Sequence, residues 1–216
     1  MGKINLYLIR HGETLLNQYQ KMQGWADSPL TEPGKAVAIE TGKKLANITF
    51  DRVYTSDSGR TVETAELILQ QNQQYDNLVI QKTRELREIF FGSFEGEASD
   101  VIWEKMRKEK GQDNIAEMMN SLTMEEVLNS FHLLDPLGHA ENYHEFTERI
   151  DAGLKTITNN SKNEEENVLV VSHGVVIMNL VNKFSKEPVG PIEIKNSSIT
   201  RLEFLDDEFT LISYNQ

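Results

Sequence analysis

Cysteine is absent from this chain of 216 residues. Its absence excludes disulfides, thiolate nucleophiles and cysteine-held metal. It also suits a reducing compartment, so a cytoplasmic location is expected. Long hydrophobic runs are missing too, and no stretch approaches the roughly 20 apolar residues of a membrane span. The opening MGKINLYLIRHGE does not fit a signal peptide, because Asn5, Arg10 and His11 interrupt its short apolar run. Leu6 stands where a myristoylation signal needs Ser or Thr. No long basic tract offsets the acidic balance: 22 Lys and Arg against 34 Asp and Glu leave a formal charge of −12. That field repels nucleic acid and anionic membrane surfaces, so neither is an expected partner. A local cluster of Arg and His can still hold a small anion inside an acidic protein.

What is present reads as strands alternating with helices. Lys3 to Ile9 is apolar on both faces, as in a central strand covered on both sides. Thr31 is placed as an N-cap with Pro33 in the first turn, and the helix is expected to run to about Leu45 or Asn47. Asp51 to Thr55 and Leu78 to Gln81 read as short strands, with a helix from Gly59 to Gln70 between them. Val168 to Val171 is the strongest buried-strand signal, and a helix from Val175 to Phe184 follows it. Ile199 to Leu205 and Phe209 to Tyr214 flank Asp206-Asp207-Glu208 as a strand pair. From about residue 98 to 158 the pattern is helical, with a capping box at Thr123 to Glu126. One three-layer α/β domain spanning 1–216, with a helical insertion over its core, is the expected architecture.

Two histidines share one setting. LIRHG ends at Gly12 and VVSHG at Gly174, each placing a histidine just beyond an apolar strand. In open α/β sheets, ligands sit beyond the carboxyl ends of strands. Arg10 adjoins His11, and Arg60 lies in the first turn of a helix, where free N–H groups favour an anion. Phosphoryl transfer without a metal needs a nucleophile, counter-charge, a proton donor and access for water. His11 can attack through a neutral ring nitrogen, with Arg10, Arg60 and a protonated His173 as counter-charge. Glu85 and Glu88, just ahead of Phe90 and Phe91, are the candidate acids.

With these residues in view, the chain resembles the histidine phosphatase superfamily, the phosphoglycerate mutase-like enzymes. The resemblance rests on Arg10, His11, Gly12, Glu13, Thr14 and Asn17. It continues through Gly24, Asp27, Pro29, Leu30, Thr31 and Gly34, then Thr55, Ser56, Arg60, Thr64 and Ala65. Leu86, Glu88, Gly92, Glu95 and Gly96 match a fourth segment, and Ser172, His173 and Gly174 a fifth. The resemblance implies His11 as the phosphorylated nucleophile, Arg10, Arg60 and His173 as the phosphate pocket, and Glu88 as the general acid. It implies Asn17 at the phosphate or substrate, with Gln23 and Gly24 in the pocket rim. It also implies a mostly parallel sheet with one antiparallel edge strand. Where many members carry G-G-E-S, this chain has Gly138-His139-Ala140-Glu141-Asn142, so the role of Glu141 stays open.

The expected function is a metal-independent, histidine acid-type phosphatase acting on a small phosphorylated metabolite, with no cofactor. His139 and His144 do not form a zinc-helix pattern. A cofactor-dependent phosphoglycerate mutase is the first alternative. Mutases of the family carry paired arginines after the acid, whereas this chain has Lys105, Arg107, Lys108 and Lys110 among acidic residues. A non-catalytic phospho-ligand module is the second, and such a protein would tend to have lost these catalytic positions. Oligomeric state is not legible.

Overall fold

The computed structural model describes residues 2–73, 75–187, 189 and 192–216. β1 (Lys3–Arg10) leads through α1 (Leu15–Gln18) to α2 (Glu32–Leu45), β2 (Arg52–Ser56) and α3 (Gly59–Leu69). β3 (Ile80–Thr83) is followed by α4 (Ser99–Glu109), α5 (Ile115–Ser121), α6 (Met124–Leu134) and α7 (Tyr143–Asn159). β4 (Glu165–Ser172), α8 (Gly174–Phe184), β5 (Ile199–Leu205) and β6 (Glu208–Ser213) complete the chain. Thr31 caps α2 by accepting from the Gly34 amide at 3.0 Å, and Thr123 and Glu126 close the expected capping box on α6.

The six strands lie in the order β3-β2-β4-β1-β5-β6. β1 to β4 are mutually parallel, and β5 runs against both β1 and β6. The antiparallel edge is therefore the β5–β6 hairpin. The sheet begins further along β3 than expected, at Ile80, because Val53 to Ser56 pair with Ile80 to Thr83. Val79 is left 78% exposed. This outer strand is held by its backbone and carries polar Gln81 and Lys82, so hydrophobicity marked it poorly.

Both sheet faces are covered. Ile4, Leu6, Leu8, Val168 and Val170 pack against Phe146, Ile150 and Leu154 of α7 and Val176, Ile177 and Leu180 of α8. Tyr7, Ile9, Val53, Leu169 and Val171 meet Leu45 of α2 and Ala65, Ile68 and Leu69 of α3. Each buried branched side chain contributes about 1.5–3 kcal/mol, so the β1–β4 register is strongly fixed. That register pairs Arg10 with Ser172. The next residues, His11 and His173, thus leave the sheet at the same level.

Candidate active site

The strand ends bring the two histidine rings to a centroid separation of 5.3 Å. His11 is 3% exposed, and its amide donates to the Ser172 carbonyl at 3.0 Å. Its Nδ1 lies 2.8 Å from the Gly12 carbonyl. A carbonyl only accepts, so Nδ1 carries the proton and Nε2 keeps its lone pair. Burial, followed by the nearby Arg60 and Arg10 guanidinium groups, holds His11 well below the ordinary histidine value of 6.5. The ring is neutral and its lone pair available at neutral pH.

His173 is fixed in the opposite sense. Arg60 Nη2 donates to its Nδ1 at 3.0 Å, and its Nε2 lies 2.8 Å from Ser56 Oγ. A guanidinium cannot accept, so the proton of His173 sits on Nε2 and points at Ser56. Burial, then Arg60, holds this ring well below 6.5 too. The protonated His173 expected from sequence is thus replaced by a neutral ring that orients Arg60.

Arg60 is 1% exposed in the first turn of α3. Nη1 donates to the Ala26 carbonyl at 2.8 Å and Asp27 Oδ1 at 3.0 Å, and Nη2 also donates to the Gly24 carbonyl at 2.7 Å. Its Nε has no partner within the protein. Arg10 likewise anchors Nη1 on the Ile194 carbonyl and leaves a buried Nε unpartnered. Two of the helix-start amides expected to face an anion are used otherwise. Gly59 N donates to Asp27, and Val175 N to Glu88.

Glu88 is 5% exposed and accepts from the amides of Ile89 at 3.0 Å and Val175 at 2.9 Å. Burial pushes its carboxyl above the ordinary 4.5, outweighing those amides and the guanidinium charges. Glu85 differs: its carboxylate takes the Thr83 hydroxyl, which holds its pKa below the usual value. Of the two candidates, only Glu88 has a buried carboxyl with a raised pKa, close enough to feel Arg10 and Arg60.

The rim residues form their own network. Gln23 Oε1 accepts from Thr14 Oγ1 at 2.6 Å and from Asn17 Nδ2 at 3.2 Å. Gly24 packs so closely that a Cβ there would sit 2.1 Å from the Ile89 carbonyl. Glu95 clamps this loop by accepting from the amides of Gly24, Trp25, Ala26 and Phe91. Glu95, Asp27, Ser56 and Thr64 stood in recognisable motifs without an assigned task. Thr64 accepts from the Gly12 amide at 2.9 Å.

Glu141 is committed to an ion pair. It pairs bidentately with Arg149, both oxygens at 2.7 Å, and accepts from the Phe90 amide. Arg149 was not anticipated. Trp103 packs edge-on against Phe131, and Met106 and Met118 are fully buried in the core. His132 reaches the Ala140 carbonyl. Among the described residues, no group of three or more His, Asp or Glu is placed to hold a metal, and no helix is long and apolar enough to cross a membrane.

The family model of the histidine phosphatase superfamily (branch 1) matches residues 6–216, and the chain belongs to that superfamily. Within it, the chain is similar to the crystal structure of a phosphoglycerate mutase from Bacillus anthracis str. Sterne. That match has 36% identity and a TM-score of 0.94, covering 100% of this chain and 94% of the other. An uncharacterised phosphatase of Bacillus subtilis, PhoE, is 28% identical over 210 residues, 96% of this chain and 92% of its own length. A probable phosphoglycerate mutase, GpmB, of Salmonella paratyphi A is 27% identical over 209 residues, 95% and 87% of the two chains.

Proposed function

We propose that the protein hydrolyses small phosphomonoesters by way of a phosphohistidine at His11. His11 Nε2 attacks phosphorus and forms a P–N bond as the ester P–O bond breaks. Glu88 gives its proton to the departing alkoxide. Water then attacks phosphorus, the Glu88 carboxylate takes a proton from it, and the P–N bond breaks to restore neutral His11. Arg10 and Arg60 neutralise the equatorial oxygens, with His173 fixing Arg60 and sharing the phosphate cradle. No metal or organic cofactor is needed, because two guanidinium groups supply the counter-charge. The observation that carries the reading is a neutral His11 that feels the charges of Arg60 and Arg10, whose buried Nε donors the protein leaves unclaimed.

The chemistry suits a small phosphorylated metabolite in the cytoplasm. His11→Ala should abolish phosphate release and acid-labile labelling of the protein, with the fold retained by circular dichroism. Normal turnover of 4-nitrophenyl phosphate by that variant would overturn the reading.

The similarity to the phosphoglycerate mutase of Bacillus anthracis favours a second reading, transfer back to phosphoglycerate. Against it, Arg107 is spent on Glu104 and local carbonyls, and Lys105 on the Leu134 carbonyl. Arg107 is thus committed locally, which leaves this stretch without the paired arginines of the family's mutases. Incubation with 3-phosphoglycerate and a trace of bisphosphoglycerate distinguishes the two: inorganic phosphate supports the hydrolase, and the 2-isomer without phosphate supports the mutase.

A further inference from the structure

Arg149 spans a gap that the catalytic proposal leaves unaddressed. Its Nη1 donates to the carbonyls of Glu85 at 3.0 Å and Arg87 at 2.8 Å, and its Nη2 to that of Glu88 at 3.0 Å. Three carbonyls within four residues converge on one guanidinium. The segment they belong to is a single short 3-10 turn, Arg84–Leu86, and irregular chain, so it has little regular backbone bonding of its own. Glu141 holds the other edge of the guanidinium in a fork of two bonds. The pair is 13% exposed at each side chain, which shields it from solvent screening. Glu141 also exchanges backbone bonds with Phe90: its amide donates to the Phe90 carbonyl at 2.9 Å, and its carboxylate accepts the Phe90 amide at 2.9 Å. On the far side, Trp25 Nε1 donates to the Glu88 carbonyl at 2.9 Å.

We propose that Arg149, held by Glu141, is a positioning strap that sets the backbone of Glu88 and so aims its carboxyl at the leaving group. This rests on Glu88 being the proton donor. Neither Arg149 nor Glu141 touches the reacting atoms. They act through the carbonyl of Glu88 and the peptide groups on either side of it. A guanidinium suits the task because its planar fork meets a carboxylate and several carbonyls at once, which an ammonium cannot do. A shift of the acid on the ångström scale is enough to cost rate. The strap also explains what Glu141 does in a segment where the family pattern is altered.

The test compares an alkyl phosphate, whose leaving group needs a proton, with 4-nitrophenyl phosphate, whose leaving group does not. Glu88→Gln serves as the reference and should lower kcat for the alkyl ester about 100-fold more than for the aryl ester. Arg149→Met should show the same selectivity at about 10-fold, with little change in KM. Arg149→Lys should not restore the ratio. Arg149→Met added to Glu88→Gln should leave the ratio where Glu88→Gln put it, since the strap has no other route to the leaving group. Selective loss in Glu88→Gln with equal loss for both esters in Arg149→Met overturns the strap alone. Equal loss in Glu88→Gln overturns the acid and the strap together. If Arg149→Met does not fold, Glu141→Gln gives the readout, since it keeps Arg149 and weakens its fork together with the bond from the Phe90 amide. A folded Glu141→Gln with an unchanged ratio, or failure of both variants to fold, marks the pair as structural.

Discussion

His11 and His173 lie in the same cleft with opposite tautomers, and one neighbour decides each. The Gly12 carbonyl takes the Nδ1 proton of His11 and exposes Nε2. Arg60 occupies Nδ1 of His173 and drives its proton to Ser56. These assignments set the pH dependence. On the proposed mechanism, productive enzyme needs His11 neutral and Glu88 protonated. The acid limb of kcat/KM is therefore expected below 6.5, where burial and the two guanidinium groups have moved His11. The alkaline limb is expected above 4.5, where burial has moved Glu88. A rate profile for an alkyl ester, corrected for the ester's own titration, should place the two limbs on those sides of the ordinary values. An acid limb at 6.5 would contradict the neutral, buried His11. In Glu88→Gln the alkaline limb should vanish.

At the scale of elements, the link from α6 to α7 depends on one carboxylate. Asp135 accepts from the amides of Leu137, His139 and Ala140 and from the Ser93 hydroxyl. Burial opposes ionisation there, but those donors outweigh it and hold the carboxyl well below 3.8. Gly92, at a φ of +60°, lies against it, and a Cβ would come within 2.1 Å of the carboxylate. Asp135→Asn should cost roughly 2 kcal/mol, because hydrogen bonds to a charged group are lost in a buried setting. The check is the midpoint of urea unfolding. Because the folded pKa is depressed, this stabilisation is present above 3.8 and lost as pH falls through the folded value. The elements themselves were largely legible. The branched run at Val168 to Val171, the cap at Thr31 and the box at Thr123 carry local chemistry that fixes a helix or strand. The outer strand β3 was displaced because backbone pairing, not side-chain burial, sets its limits.

For the molecule as a whole, the cost of the site falls on stability in acid. His11 and His173 are both held neutral when folded and regain the ordinary value when unfolded. The unfolded chain then binds more protons as pH drops below 6.5, so stability should decline by up to about 1.4 kcal/mol per pH unit for each histidine. Glu88, whose folded value is raised, contributes with the opposite sign above 4.5. Urea unfolding at about pH 7.5 and about pH 5.5 should reveal the decline, and His173→Gln should flatten it. A slope unchanged in that variant would refute the assignment. His11, His173, Arg10, Arg60 and Glu88, which the structure brings together, were named from the sequence by strand ends and by the family resemblance. Arg149 was not. Its partners are mainly backbone carbonyls, which every residue carries and which leave no trace in a sequence.

The alignment of β1 with β4 has a consequence for how this chain can diverge. Arg10 opposite Ser172 puts both histidines one step past the paired strands. A single inserted or deleted residue in either strand would turn one of them toward the opposite face of the sheet. The connection after Lys110 is under no such constraint, since Gly111 is exposed and a Cβ there would meet nothing within 4 Å. Changes in length among descendants should therefore collect between helices, while the two central strands keep their length residue for residue.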